Sequence, residues 1–143
     1  MKLYAVVPLL IAVVLLSGCI ASFNFTVDLI ITPNPVTEDE HYRVVVAVTT
    51  SGTNQPAYVL TATGYMEDPL GTQPPNSWNM FPDLLTTGPI IAGVLTPIYD
   101  RSRDADIALG TWKVWVVITM LDSQGNPITI TSNVVQLVVQ QEI

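Results

Sequence analysis

From Phe23 onward, apolar and polar residues alternate with period two, interrupted by short clusters of turn residues. That period marks strands with one buried face, because successive side chains leave opposite sides of the pleat. Phe23, Phe25, Val27, Leu29 and Ile31 alternate with Asn24, Thr26, Asp28, Ile30 and Thr32. Pro33-Asn34-Pro35 ends that strand, since neither proline can donate to a ladder. After the acidic turn Glu38-Asp39-Glu40, a second strand over 41–50 places Tyr42, Val44, Val46 and Val48 on one side. Ser51 to Pro56 reads as a loop, and Ala57 to Met66 as a third strand whose buried face the pattern leaves open. A loop with five prolines spans 67–89, and a further strand is predicted over Ile90–Tyr99, with Gly93 at a bulge. Asp100 to Leu109 reads as a polar connection. The strongest strand opens at Gly110, with Trp112, Val114, Val116, Ile118 and Met120 on one face and Lys113, Trp115, Val117 and Thr119 on the other. Asp122 to Pro127 is a hairpin turn in which Gly125 can take positive φ, and Ile128–Gln140 completes the pair.

After the leader, no stretch carries apolar residues at helical spacing, and no repeat is present. Six or seven turn-bounded strands in about 120 residues predict an all-β, two-sheet antiparallel sandwich over 23–143.

The front of the chain has a different pattern. Met1 and Lys2 precede an apolar run, Leu3 to Leu16, broken only by Pro8 and ending in Leu16-Ser17-Gly18-Cys19. One positive charge, an apolar stretch and then small residues form the layout of an export signal. The run is shorter than the roughly 20 residues that span a bilayer. Leu16-Ser17-Gly18-Cys19 resembles the lipobox of prokaryotic lipoproteins, and Cys19-Ile20 is similar to the continuation found in many archaeal ones. The resemblance implies a signal peptide over 1–18, cleavage before Cys19, lipidation of its thiol and a short tether over 19–22. Two alternatives stay open. An ordinary signal peptidase could remove the leader, or the leader could be retained, as in filament subunits similar to archaeal type IV pilins.

Composition sharpens this division. The 143 residues carry 12 Asp plus Glu, 5 Lys plus Arg, one His and one Cys, with 49% hydrophobic and 12% charged residues. These values exclude intrinsic disorder, an intrachain disulfide framework and a Cys-rich zinc module. A net charge of −7 argues against a nucleic-acid partner, which calls for a basic stripe. The mean hydropathy of +0.44 belongs largely to the leader. Without residues 1–18 the hydrophobic share falls to about 45%, ordinary for a globular domain.

The stretch Ile31-Thr32-Pro33-Asn34-Pro35-Val36, with the acidic turn and alternating valines after it, resembles the first two strands of extracellular immunoglobulin-like modules. Gly110 to Val114, continuing to Asn126, resembles their final hairpin. The resemblance implies an immunoglobulin-like sandwich serving adhesion, spacing, assembly or carbohydrate binding. The chain departs from antibody-type domains in lacking paired cysteines, so their disulfide does not carry over.

Candidate chemistry is sparse. His41 is the sole histidine and lies beside three acidic residues, with no nucleophile picked out for it, so no enzymatic activity is expected. No cofactor is expected, with a structural calcium on Asp100, Asp104 and Asp106 as the alternative, opposed by Arg101 and Arg103 beside them. Trp78, Met80 and Phe81 in the proline-rich loop either plug one end of the sandwich or form a recognition surface. Trp115 lies opposite its strand's core face and could stack on a sugar or a partner. Asn24-Phe25-Thr26 matches the N-glycosylation sequon. The expected partners are a membrane, through lipid on Cys19, and a surface protein, a glycan or identical subunits. The expected role is a non-catalytic, exported binding or assembly module on the outer face of the cell membrane. Its rival is a filament or envelope-array subunit that retains its leader or donates the 19–31 segment to a neighbour's sheet.

Overall fold

The alternation between Phe23 and Thr32 is realised as an edge strand whose inward row, Phe25, Val27, Leu29 and Ile31, is buried. The computed structural model describes residues 23–52 and 55–143. The leader 1–18, Cys19 and the tether 19–22 lie outside the described residues. The strands are β1 (Asn24–Thr32), β2 (Val36–Thr37), β3 (His41–Ser51), β4 (Tyr58–Glu67), β5 (Asn76–Asn79), β6 (Thr96–Asp104), β7 (Gly110–Leu121), β8 (Pro127–Thr131) and β9 (Val135–Gln140). Among the described residues the single helical element is a 3-10 turn, Phe81–Asp83.

The strands form two sheets, one ordered β1-β3-β6 and the other β2-β9-β7-β4-β5, with β8 beside the later half of β7. All pairings are antiparallel except β2 with β9. Register follows burial. Val27, Leu29 and Ile31 of β1 stand opposite Val48, Val46 and Val44 of β3, all of them buried. A slip of one residue would turn that whole row to water. The inward rows of both sheets merge into one hydrophobic cluster, in which Val46, Ile98, Val116, Ile118, Met120 and Leu137 are fully enclosed.

Two asparagines join the sheets at their borders. The chain leaves β1 at Pro33-Asn34-Pro35 and crosses to the second sheet, where the Asn34 side chain accepts from Val138 N–H (3.0 Å) and donates to the Gln136 carbonyl (2.8 Å). The predicted strand 128–140 is divided at Ser132-Asn133-Val134 into β8 and β9. Ser132 satisfies both main-chain groups of Val116, accepting from its N–H through Oγ (2.9 Å) and donating its own N–H to the carbonyl (2.8 Å). That break turns Asn133 toward the other sheet. Its carboxamide pairs with both Leu29 N–H (2.9 Å) and Leu29 C=O (3.1 Å).

Asn133 thus occupies main-chain groups on the open edge of β1, the position at which a foreign strand would add. Across the first sheet, Leu85 N–H donates to the Ile98 carbonyl of edge strand β6 (2.8 Å). The second sheet ends in strands of only two and four residues, β2 and β5. β1 pairs with β3 of its own chain over residues 24–32, which weighs against the donated-strand expectation. Asn133→Ala is expected to cost about 1–2 kcal/mol by freeing two main-chain groups of Leu29. It is also expected to open β1 to pairing with a second copy. Thermal melting and sedimentation at two protein concentrations check both effects.

Several boundaries differ from the sequence expectation. The loop 67–89 contains β5 and the 3-10 turn. Ile90 forms only a single bridge with Ala57, and Gly93 is a positive-φ turn (φ 77°) whose N–H reaches the Thr50 carbonyl. The strand expected over 90–99 is displaced to Thr96–Asp104, so half of the expected polar connection is strand. In β4, a register irregularity between Val59 and Thr61 places Val59, Ala62, Gly64 and Met66 inward.

Candidate functional site

β6 separates the acidic residues that the sequence groups together. Asp100 and Asp104 are four residues apart on an extended strand, roughly 13 Å at 3.3 Å per residue. Each meets a different basic side chain of β3. Arg43 Nε donates to Asp100 Oδ1 (2.7 Å), a second guanidinium nitrogen contacts Oδ2, and His41 Nδ1 lies 2.5 Å from Asp104 Oδ1. The hydrogen bond from Arg43 holds the Asp100 carboxyl below its ordinary range, against a smaller opposing effect of desolvation. Asp104 and Asp106 instead line an open hollow with Glu38, Asp39, Glu40 and His41. Asp100, Asp104 and Asp106 therefore do not converge as the ligand set expected for calcium. Among the described residues no three His, Cys, Asp or Glu side chains are grouped to hold a metal ion. The His41 side chain is 69% exposed, and its neighbours in the hollow are carboxylates, with no hydroxyl or thiol among the lining residues to activate.

The three large side chains of the proline-rich loop have separate fates. Met80 is fully buried, and its N–H bonds to the Ala62 carbonyl (2.9 Å), so it belongs to the core and not to a recognition surface. Trp78 stands opposite Gly64, and its indole occupies the space above that glycine, where a Cβ would come within 2.1 Å of the ring. The Arg103 guanidinium lies 4.4 Å from the indole centroid and closes the sandwich between β6 and β5. Phe81 is exposed at the start of the 3-10 turn.

Arg103 also borders Tyr42, whose hydroxyl is pushed above its ordinary pKa of 10 by burial, opposed by the nearby guanidinium. Because the folded-state value is the higher one, the folded chain holds this proton longer than the unfolded chain. The stabilisation is complete below pH 10 and is lost as pH rises through the folded value. Tyr42→Phe is expected to flatten the fall in melting temperature above pH 10, as read from thermal melts between pH 8 and 11.

The outer face of the second sheet presents the remaining candidate, Trp115. The register of β4 against β7 sets Tyr65 directly opposite it, and the rings stack with centroids 5.6 Å apart and planes inclined by 10°. Both rings are half-buried. Around them the same face carries Ser77 from β5, Thr63 and Val117 from the next pair, and the Glu67–Lys113 ion pair (3.8 Å). Farther along, Thr119 and Thr129 share a hydroxyl hydrogen bond (2.7 Å). Tyr65 is the residue that sequence reading missed. It lies 50 positions from Trp115, and only the strand register brings them together. Asn24 begins β1 exposed to solvent, with its Oδ1 accepting Phe25 N–H (2.8 Å).

No family model matches the chain, and no curated protein matches it significantly. Among solved structures it is similar to a Bordetella pertussis protein described as ApaA, at 10% identity and a TM-score of 0.39, covering 85% of this chain and 95% of that one. It is also similar to a structural-genomics target solved by X-ray diffraction, at 12% identity and a TM-score of 0.35, covering 82% and 86% of the two chains. Likenesses at that level assign no function to this chain, which is an all-β protein of two sheets.

Proposed function

We propose that the chain is an exported, lipid-anchored, immunoglobulin-like module that binds a surface ligand, without catalysis, through the outer face around Tyr65 and Trp115. The stacked aromatic pair carries this reading. It sets two half-buried aromatic rings side by side among hydroxyl and ion-paired groups, suited to a ligand with apolar C–H surface and a polar edge, as a pyranose ring has. The strand orders support the immunoglobulin-like reading. β1-β3-β6 and β9-β7-β4 follow the A-B-E and G-F-C orders of such modules. The anchor rests on Leu16-Ser17-Gly18-Cys19, and two acyl chains would hold the domain at the membrane far more firmly than one.

Intact mass of the membrane-extracted protein tests the anchor. A chain beginning at diacylated Cys19 is the expected result, whereas a mass retaining residues 4–18 would replace the lipoprotein reading with the filament one. Tryptophan fluorescence during titration with a panel of soluble oligosaccharides tests the binding face. Trp115→Ala is expected to weaken binding about tenfold, the 1.4 kcal/mol scale of one stacking contact, while leaving the melting temperature close to that of the parent. Absence of any titration, or titration indifferent to Trp115→Ala, would remove this face from the proposal.

A further inference from the structure

The strand registers give the sandwich two chemically unlike ends. Asn24 pairs with Ser51, Val48 with Thr96, and Tyr58 with Leu121, so the start of β1, the end of β3 and the β7–β8 turn lie at one end. Gly93 N–H bonded to the Thr50 carbonyl, and the Ala57–Ile90 bridge, bring the 90–95 turn to that same end. In the described segments 23–27, 48–52, 55–62, 86–98 and 118–131, the one charged residue is Asp122. Its carboxylate is buried and accepts from the main-chain N–H groups of Gln124 and Asn126 and from the Asn126 side chain. The exposed residues at this end include Ile91 (68%), Leu95 (60%) and Val94 (51%), with Leu60 and Tyr58 beside them on β4. The opposite end carries Glu38, Asp39, Glu40, Asp104 and Asp106.

The polypeptide enters at the uncharged end, because Phe23 immediately precedes β1. Cys19 stands four residues ahead of Phe23, a reach of at most about 14 Å for a fully extended chain. Exposed aliphatic side chains on a face without charge are the composition that partitions into a bilayer interface. An acidic domain is repelled by an anionic leaflet, and apart from Asp28, exposed midway along β1, this one bears its exposed carboxylates on the half remote from the anchor.

We infer that Ile91, Val94 and Leu95 form a membrane-contacting tip that inserts into the lipid interface beside the anchor and holds the domain upright, with its acidic end outward. This rests on the anchored reading above but goes beyond it, since a lipid alone sets no orientation for the domain. In that orientation the strands run away from the bilayer, so the Tyr65–Trp115 face is presented sideways and clear of lipid.

The test uses the full lipidated chain in nanodiscs of mixed phosphatidylcholine and phosphatidylglycerol doped with a headgroup nitroxide lipid. Amide resonances of 91–95 are expected to lose most of their intensity to paramagnetic broadening, while those of 38–41 and 104–106 stay sharp. Val94→Asp with Leu95→Asp is expected to restore the lost intensity without releasing the protein from the discs, and Leu70→Asp at the far end is expected to change neither. Uniformly sharp spectra from disc-bound protein would overturn the tip while leaving the anchor standing. Sharp tip resonances in discs that hold paired copies would give the face to a second copy and likewise overturn it. Protein that does not remain with the discs would overturn the anchor and the tip together.

Discussion

Trp112→Ala is expected to lower the unfolding free energy by about 3–5 kcal/mol, the usual cost of removing a large buried aromatic side chain. Trp112 stands opposite Leu137 in the β7–β9 pair and is only 7% exposed, with its indole within the single core. It also donates Nε1–H to the Ala108 carbonyl (2.8 Å), fastening the 105–109 turn to the strand that follows. For a domain whose whole stability is on the order of 5–15 kcal/mol, such a loss approaches the unfolding threshold. Trp112→Phe separates the two contributions. It keeps most of the hydrocarbon and loses the hydrogen bond, so its expected cost is about 1 kcal/mol from that bond plus a modest packing loss. Urea unfolding should therefore place the phenylalanine variant much nearer the parent than the alanine variant. Equal midpoints for the two variants would show that packing is not the larger of the two contributions.

Gly64→Ala is expected to be the most damaging single-methyl change in the second sheet, at about 3 kcal/mol. An added Cβ would lie 2.1–2.4 Å from three atoms of the Trp78 ring, closer than any van der Waals contact allows. The indole is rigid and is bounded on another side by the Arg103 guanidinium, so it must leave its place instead of adjusting within it. Overpacking alone costs about 1–3 kcal/mol, and displacement of the indole adds lost burial. A double-mutant cycle provides the check. In a Trp78→Ala background, Gly64→Ala should cost far less, giving a coupling of about 2 kcal/mol between the two sites. Additive effects would show that the indole is not what excludes a side chain at Gly64. Trp78→Phe makes a useful companion, because the buried Trp78 Nε1 has no hydrogen-bond partner and replacing it removes an unsatisfied donor.

The two changes differ in how visible they are beforehand. Trp112 heads an uninterrupted row with Val114, Val116, Ile118 and Met120, so its inward direction follows from period two alone. Gly64 lies in a strand whose alternation breaks at Leu60-Thr61, and nothing local says that its missing side chain makes room for an indole 14 positions later. The same contrast separates the candidate sites. Trp115 is legible as an outward residue because its neighbours on either side are buried. Tyr65 becomes its partner only through the β4–β7 register, itself dependent on an irregularity near Leu60. Asp100, Asp104 and Asp106 look like a ligand cluster along the chain, yet extension along β6 spreads the first two apart and the β3 pairing gives each its own partner, Arg43 and His41.

What the sequence by itself determined is the class of the fold, the inward rows of β1, β3, β7 and β9, and the contrast between an apolar leader and an acidic domain. Those features depend on neighbours one or two residues away, where the pleat imposes a strict alternation. The tertiary structure alone decided the division of β8 from β9 at Ser132, the sealing of the β1 edge by Asn133, and the stacking of Tyr65 on Trp115. It also gathered segments scattered over a hundred residues into one end without exposed charge. Such pairings are set by which strand lies beside which and in what register. That choice is made by burying one shared core, and no local stretch of the chain encodes it.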